Sequence, residues 1–334
     1  MHPARIGSNV SVRLGIMYRT FYHLQRKPFE ITPDPVFLFP TTRHNEALAS
    51  LYYGVTEHRG FVILTGEVGT GKTLILRSLL QLLQRRDLAF ALLFNPTLSP
   101  LEFIRYIARD FGLPVAGKAK DELIHVLNGF LLQRHQKGLT TMLVMDEAHH
   151  LSPEILEEIR LLSNLETSQR KLLQIVLAGQ PELDQKLDSH ELRQLKQRIA
   201  LRCHLDPLSS NETRAYMRRR LQIAGAPAGE DIFAQSAIEA VFRYSRGIPR
   251  LINTICENAL LSGYAQQATQ ITAEIVHGVS RDLRLLPIPV DPGTNGAAAL
   301  SNEQRQQNDL LLAVKTLLEV HDRLQSPATK RRLQ

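Results

Sequence analysis

The feature that most constrains the fold of this 334-residue chain is the octapeptide GEVGTGKT at residues 66–73. A short apolar run, FVILT at 61–65, precedes it, and an amphipathic segment, KTLILRSLLQLLQRR at 72–86, follows it. The first is typical of a buried parallel strand and the second of a helix. A glycine-rich turn in that position points successive backbone N–H groups at one spot and holds an anion such as phosphate. The octapeptide therefore predicts a phosphate-binding loop at the carboxyl end of a strand.

The octapeptide also matches the complete P-loop pattern, G-x-x-x-x-G-K-[ST], in the strand–loop–helix context that the pattern requires. In such a loop we expect Lys72 to reach the β and γ phosphates and Thr73 to ligate Mg²⁺. The predicted cofactors are therefore ATP and Mg²⁺. The predicted nucleotide-binding residues of the loop are Gly66, Glu67, Val68, Gly69, Thr70, Gly71, Lys72 and Thr73.

Apolar strands and amphipathic helices alternate through residue 206, which predicts an α/β fold: a parallel sheet with helices on both faces. Further strands are predicted at 89–94, 141–147 and 172–179, and a short apolar strand follows Arg198. The predicted helices lie at 42–57, 72–86, 101–112, 122–136 and 153 to about 166.

The predicted strands stop at Pro207, and residues 207–285 predict a small all-helical lid domain with helices at 211–224, 231–245, 249–267 and 273–285. The sheet domain is assigned to residues 17–206. Residues 1–16 are interpreted as a disordered extension, with a misplaced start codon as the alternative. Beyond the lid we expect a linker at 286–308, an amphipathic helix at 309–325 and a basic tail at 326–334.

The third strand ends in LVMDE, which places Asp146 and Glu147 at the same edge of the sheet as the P-loop. There Asp146 would hold Mg²⁺ and Glu147 would orient and polarise the attacking water. With Ala148 and His149, these acids begin a DEAH sequence. A helicase is rejected because no second lobe of strands follows.

Two polar residues at strand ends are further candidates for catalysis. Gln180 follows the fourth strand and resembles a sensor 1 residue, which would reach the γ-phosphate or the attacking water. Asn95 follows the second strand, from which it would hydrogen-bond Glu147 as a switch. A turn glutamine before Pro181 is the alternative reading of Gln180.

Two arginines resemble AAA+ residues that act on the γ-phosphate. Arg198 lies just before the fifth strand, where such proteins project an arginine finger into the ATP site of the neighbouring subunit. Arg193 and Arg202 compete for that role, and a plain surface arginine is the alternative. Arg250 lies at the start of the third lid helix and resembles sensor 2, which folds back over the phosphates.

Composition excludes several classes of protein. Hydrophobic residues make up 43% of the chain and charged residues 22%, as in an ordinary globular protein. Cys203 and Cys256 are the only cysteines, and neither has metal-ligand spacing, so a reducing cytoplasm fits. There is neither a signal peptide nor an apolar run of about 18 residues, so we expect no transmembrane segment. The net charge of +7 and the run Arg218–Arg220 leave contact with DNA open.

With these motifs in place, the sequence closely resembles the general secretion pathway protein A (ExeA-like) AAA+ ATPases. The resemblance runs from Met17 to about Leu285 and is carried by several segments. These are MYRTFYHLQRKPFEITPDPVFLF, HNEALASLYYGVTEHRGFVILTGEVGTGKT, LLSNLETSQRKLLQIVLAGQPEL and ITAEIVHGVSRDLRL, together with GIPR in the lid. The chain departs from the family at His149, where a glutamine is usual.

The resemblance implies a cytoplasmic ATPase that forms a homo-oligomer, a ring or a filament, and assembles or energises an envelope machine. That machine would serve type II secretion, pilus biogenesis or exopolysaccharide export, with an inner-membrane protein as partner. The resemblance also implies that the amino-terminal segment packs by the nucleotide base, with Phe29 and Pro33–Pro35 as contacts. Simple packing of an entry loop is the alternative for these residues. The alternatives are a DNA-binding AAA+ regulator of the transposition type and a nucleotide-gated scaffold with little turnover.

Overall fold

A computed structural model describes residues 18–30, 37, 39–84, 87–94, 98–168, 170–226 and 231–288. The predicted extension at 1–16, most of the linker, the helix at 309–325 and the basic tail lie outside the described residues, as do Asn95 and Pro33–Pro35. The described residues form a sheet domain followed by a helical lid.

The sheet domain contains five parallel strands in the order β2-β3-β4-β1-β5. The strands are β1 Phe61–Gly66, β2 Ala89–Leu93, β3 Thr141–Met145, β4 Gln174–Gly179 and β5 Ile199–Leu205. Every residue of β1, β3 and β4 is buried, whereas the outer strands β2 and β5 are partly exposed. The predicted α/β fold is confirmed.

Helices cover both faces of the sheet because successive strand side chains point to opposite faces. Val62 and Leu64 of β1 pack on the side of helices α1 and α2, whereas Phe61 and Ile63 pack on the side of α3, α4 and α5. The helices of this domain are α1 Thr42–Thr56, α2 Lys72–Gln84, α3 Pro100–Asp110, α4 Lys120–Gln136, α5 Pro153–Leu162, α6 Glu182–Leu187 and α7 Arg193–Lys196.

Helix α5 ends four residues before the predicted end near Glu166. Its carboxyl end turns at Ser163, and Glu166 then forms an isolated antiparallel bridge with Lys171. A hydrogen bond from the backbone N–H of Leu172 to the carbonyl oxygen of Leu165 closes this turn. The chain therefore reverses here and enters β4 in the parallel direction.

The lid consists of α8 Ser210–Ile223, α9 Gln235–Ser245, α10 Pro249–Ala265 and α11 Ala273–Asp282. Residues 18–30, which the sequence analysis grouped with the sheet domain, pack instead into the core of the lid. The Tyr18 hydroxyl donates to Glu257 Oε1 at 2.8 Å, and the Tyr22 hydroxyl donates to the Ala268 carbonyl at 2.9 Å. The amino-terminal segment is thus part of the lid.

A glycine turn sets the position of the lid. Gly247 has φ +74°, and a Cβ there would lie 1.8 Å from the carbonyl oxygen of Leu208, so only glycine fits. The backbone N–H of Leu208 donates to the Gly247 carbonyl at 2.8 Å, and the N–H of Arg250 donates to the Gly69 carbonyl at 3.3 Å. The first turn of α10 therefore rests directly on the P-loop.

Within the described ranges, no helix combines the length and the apolar character needed to cross a bilayer.

Candidate nucleotide-binding site

A cavity of about 440 Å³ lies between the P-loop and the lid, within the size range of small-molecule sites. The P-loop from Val68 to Thr73 forms one wall, and Glu147 also lines it. The lid contributes Tyr216, Arg220, Arg250 and Asn253. Residues from both domains and from the amino-terminal segment thus share one cavity.

Two P-loop glycines adopt the left-handed conformation, Gly69 with φ +84° and Gly71 with φ +106°. A Cβ on Gly69 would lie 2.5 Å from the Cβ of Arg250, so glycine also allows the lid to approach the loop. Because α2 begins at Lys72, the N–H groups of its first turn have no acceptors within the helix. These donors are available to an anion bound in the cavity.

Lys72 is buried against its own loop and donates to the carbonyl oxygens of Gly66 and Glu67 at 2.7 and 2.9 Å. Burial lowers the pKa of the Lys72 ammonium, whereas the nearby carboxylates of Glu147 and Asp146 raise it. The ammonium thus lies between loop carbonyls and acidic side chains, a position suited to a phosphate oxygen.

Thr73 and Asp146 meet as the sequence predicts, with the Thr73 hydroxyl donating to Asp146 Oδ2 at 2.7 Å. A hydroxyl and a carboxylate oxygen are ligands that Mg²⁺ prefers, and Mg²⁺ usually takes few protein ligands together with water and phosphate oxygens. The described residues contain no cluster of three or more His, Cys, Asp or Glu that would cage a metal alone. The residues present therefore fit an ion that arrives with a polyphosphate.

Glu147 has an unusual backbone, with φ 53° and ψ 35° in the left-handed region. For a residue other than glycine this conformation costs about 1–3 kcal/mol. The backbone N–H of Glu147 donates to Asp146 Oδ1 at 2.9 Å, which ties the two acids together. The strained turn leaves the Glu147 carboxylate at the cavity while Asp146 points to Thr73.

Gln180 directly follows β4, but its side chain does not line the cavity. Its Nε2 lies 2.8 Å from the Nε2 of His149, and His149 Nδ1 lies 3.6 Å from Oε2 of Glu147. The structure therefore connects Gln180 to the predicted catalytic acid through a histidine. Asn95, the predicted switch residue, lies outside the described residues.

The two predicted arginines lie at different places in the fold. Arg250 is exposed and lines the cavity beside the P-loop. Arg198 precedes β5 and donates to the Ser163 hydroxyl at 2.8 Å, at the amino-terminal edge of the sheet. Of its two competitors, Arg202 pairs with Asp184 at 2.5 Å, and Arg193 is exposed at the start of α7.

His44 of α1 supports the P-loop, and the sequence analysis did not identify it. Its Nε2 lies 3.1 Å from the Thr70 carbonyl oxygen, and its Nδ1 lies 2.6 Å from the Thr41 hydroxyl. Burial lowers the pKa of the imidazole, which favours the neutral form with a proton on Nε2. His44 thus donates to the loop backbone next to Gly71.

Part of the cavity lining is aromatic. Phe37, Phe39 and Tyr216 line it, and the rings of Phe39 and Tyr216 meet edge to face at 5.7 Å. The Tyr216 hydroxyl donates to Asn253 Oδ1 at 2.8 Å, and burial raises the pKa of that hydroxyl. Flat apolar surfaces with a few polar groups suit a purine base.

Phe29 does not reach this cavity, although the family resemblance implied a contact with the base. The side chain is fully buried in the lid core, where its ring meets that of Phe233 edge to face at 5.9 Å. Phe37 and Phe39, which follow Phe29 in the same amino-terminal part of the chain, line the cavity instead. Phe29 therefore anchors the segment that carries them.

Arg220 is buried, so the run Arg218–Arg220 is not one basic surface. Its guanidinium donates to the carbonyl oxygens of Pro28 and Glu30 at 2.5 and 3.2 Å and to the Tyr216 hydroxyl at 2.7 Å. It also lies 4.5 Å from the centre of the Phe37 ring. Arg220 therefore joins the amino-terminal segment to the lid at the aromatic part of the cavity lining.

Comparison with known proteins indicates the same class of protein as the geometry of the site does. A family model described as "AAA domain" matches residues 55–187, which hold the P-loop, the acid pair and Gln180. The chain is a P-loop NTPase of the AAA+ class.

Within that class it belongs to the family of general secretion pathway protein A. It is 46% identical to the general secretion pathway protein A of Aeromonas hydrophila over 263 residues, which cover 78% of this chain and 47% of the relative. The chain thus spans about half the length of that relative.

Solved structures share the fold at low sequence identity. The ORC2 protein of Aeropyrum pernix, solved as ADPNP-ADP complexes, aligns with a TM-score of 0.55 at 15% identity and covers 77% of this chain and 73% of its own. Cdc6p of Pyrobaculum aerophilum aligns with a TM-score of 0.55 at 21% identity and covers 74% and 70%. At these identities the likeness concerns the fold alone.

Replacing Arg220 with methionine should lower the free energy of unfolding by about 2–4 kcal/mol, because the carbonyls of Pro28 and Glu30 lose a charged donor. Urea unfolding measures the change. Arg219→Met, on the exposed side of the same helix, is the matched control and should have little effect. Equal stability of the two variants would contradict the role given to Arg220.

Proposed function

We propose that this chain binds MgATP in the cavity between the sheet domain and the lid and hydrolyses it to ADP and phosphate. The observation that carries the proposal is the 2.7 Å contact between Thr73 Oγ1 and Asp146 Oδ2, beside a cavity that Lys72 and Glu147 also line. Metal ligands, a phosphate-binding cation and a candidate base are thereby assembled at one edge of the sheet.

The binding roles follow from position in the cavity. The first-turn N–H groups of α2 and the Lys72 ammonium bind the phosphates, and Arg250 approaches them from the lid. Thr73 and Asp146 would hold Mg²⁺, which neutralises charge on the phosphate oxygens. Phe37, Phe39 and Tyr216 would enclose the adenine.

The reaction is the attack of water on the γ-phosphorus, which breaks the bond to the oxygen bridging the β and γ phosphates. Glu147 accepts a hydrogen bond from the attacking water and takes its proton as the new bond forms. Positively charged groups stabilise the charge that grows on the γ-phosphate oxygens and on the leaving ADP.

Two variants separate binding from turnover. Lys72→Ala should weaken ATP binding at least about tenfold, because a charged hydrogen-bond donor is lost. Glu147→Gln should keep ATP bound and lower kcat by about 100-fold or more, because the general base is removed. Phosphate release and titration with a fluorescent ATP analogue measure the two effects. Lys137→Ala, exposed at the end of α4, is the control, and turnover by Glu147→Gln at the natural rate would overturn the proposal.

Arg198 is proposed to act in the ATP site of a neighbouring copy. It precedes β5, whereas the P-loop follows the carboxyl end of β1, and these two strands are parallel. A strand of this length separates the two edges by about 20 Å, so Arg198 does not reach the site of its own chain. A ring or a filament would bring it to the γ-phosphate bound by the next subunit.

Mixing experiments test this arrangement. Lys72→Ala and Arg198→Ala proteins should each be inactive alone and regain part of the ATPase activity together, because one interface then combines an intact P-loop with an intact Arg198. Arg202→Ala replaces Arg198→Ala in the control mixture. If Arg202→Ala is inactive alone and recovers with Lys72→Ala, whereas Arg198→Ala is active alone, the role passes to Arg202. No recovery in mixed oligomers would remove the trans site.

We further propose that the oligomer works on the cytoplasmic side of the inner membrane, together with a membrane protein of a secretion, pilus or exopolysaccharide system. The 46% identity to general secretion pathway protein A supports this process. The transposition-type protein is the second candidate, and two arginines of the run Arg218–Arg220 are exposed and available to DNA.

The Glu147→Gln protein also tests the process. Expressed beside the natural protein in its own cells, it should enter mixed oligomers, hold ATP and reduce export through the envelope system. Secreted protein and surface polysaccharide measure the effect, and Lys137→Ala again serves as the control. Normal export and piliation at high levels of the Glu147→Gln protein would contradict the envelope role and leave the ATPase proposal standing.

A further inference from the structure

The side chain of His149 lies between two residues that the sequence analysis assigned to catalysis. Its Nε2 is 2.8 Å from the Nε2 of Gln180, and its Nδ1 is 3.6 Å from Oε2 of Glu147. Only 7% of the His149 side chain is exposed, compared with 47% of the Glu147 side chain. The imidazole is thus a buried bridge between the end of β4 and an exposed carboxylate that follows β3.

The backbone around His149 is held independently of this bridge. Lys186 of α6 donates to the carbonyl oxygens of His149 and Leu151 at 2.6 and 2.9 Å. A Cβ on Gly179 would lie 3.2 Å from the backbone nitrogen of His149 and 2.9 Å from Leu183, so a larger residue would separate β4 from this turn. The backbone that carries the His149 ring is therefore held in place next to Glu147.

The neighbours of the ring determine which nitrogen carries the proton. A donor at Gln180 Nε2, 2.8 Å from His149 Nε2, fits the tautomer whose proton is on Nδ1. The backbone nitrogen of Gln180, 3.4 Å from Nδ1, favours the opposite tautomer. We take the tautomer with the proton on Nδ1, because it places an N–H group, and not a lone pair, towards the Glu147 carboxylate 3.6 Å away. Burial lowers the pKa of His149, which favours this neutral form.

Only one of the three bridged residues meets the cavity. Glu147 lines it, whereas neither Gln180 nor His149 does. Gln180 therefore contacts the predicted catalytic acid through the imidazole. The exposed Glu147 side chain has several rotamers available, and an N–H donor beside Oε2 favours those that keep the carboxylate near the ring.

We propose that His149 is a positioning residue through which Gln180 orients the Glu147 carboxylate towards the attacking water. The inference rests on the proposed ATP hydrolysis and gives His149 a role within that site. Removal of the bridge leaves the phosphate-binding residues in place, so the loss falls on turnover and not on binding.

The test compares His149→Ala, His149→Gln and Gln180→Ala with the double variant His149→Ala/Gln180→Ala. His149→Ala should lower kcat about 10- to 100-fold, the usual effect of removing a residue that orients a reactive group, with ATP affinity within about twofold of natural. His149→Gln should recover most of the turnover, because an amide can donate to Glu147 and also bind Gln180. The double variant should be no slower than the slower single variant, since both substitutions break one bridge.

His150→Ala is the matched control, because His150 is exposed beside His149 and does not bridge Glu147 and Gln180. The positioning role would be overturned if the losses in kcat multiplied in the double variant, or if ATP affinity fell as much as kcat. In either case, ATP hydrolysis by the natural protein would still uphold the proposed function. A natural protein that does not hydrolyse ATP would overturn both. ATP affinity and thermal unfolding of each variant separate a positioning effect from misfolding.

Discussion

The hydrogen bond between Thr73 and Asp146 joins two elements that are not neighbours in the sheet. Strand β4 lies between β1 and β3, so the loops that carry these residues meet over its carboxyl end. This is possible because the three strands end at similar levels, with Thr65 paired to Gly179 and Met145 paired to Leu177. The arrangement of the candidate site follows from this alignment, because Lys72, Glu147 and Gln180 all extend from the same edge.

The sheet and its covering helices were predictable because each strand carries its own pattern. Three strands buried on both sides appear in the sequence as continuous apolar runs, and the helices between them repeat apolar residues at helical spacing. The place of residues 18–30 was not predictable in this way. Their tyrosines and Phe29 indicate burial but not the surface that covers them, and Tyr18 meets its partner Glu257 across 239 positions of sequence.

The candidate site likewise has one part that the sequence predicts and another part that it does not. The positions of the P-loop, Asp146 and Glu147 were predictable, because a P-loop encodes its own backbone path and the acids follow a recognisable strand. Gln180 was expected at the γ-phosphate, but its side chain contacts His149 and does not line the cavity. The proposed base end is assembled from three distant segments that include Phe37, Tyr216 and Asn253. Arg220 shows why this part was missed: a run of three arginines suggests an exposed basic face, but the helical repeat turns the third inward.

The union of the amino-terminal segment with the lid has a consequence for how the protein is made. Arg220 reaches back to Pro28 across 192 positions, so residues 18–30 leave the ribosome long before their partners exist. Until α10 is complete, Tyr18, Tyr22 and Phe29 have no apolar surface of the lid to cover them, and exposed aromatic groups of this kind invite association with other chains. The sheet domain has its own hydrophobic cores and can form earlier, so the aromatic part of the cavity lining closes only after the lid has been synthesised.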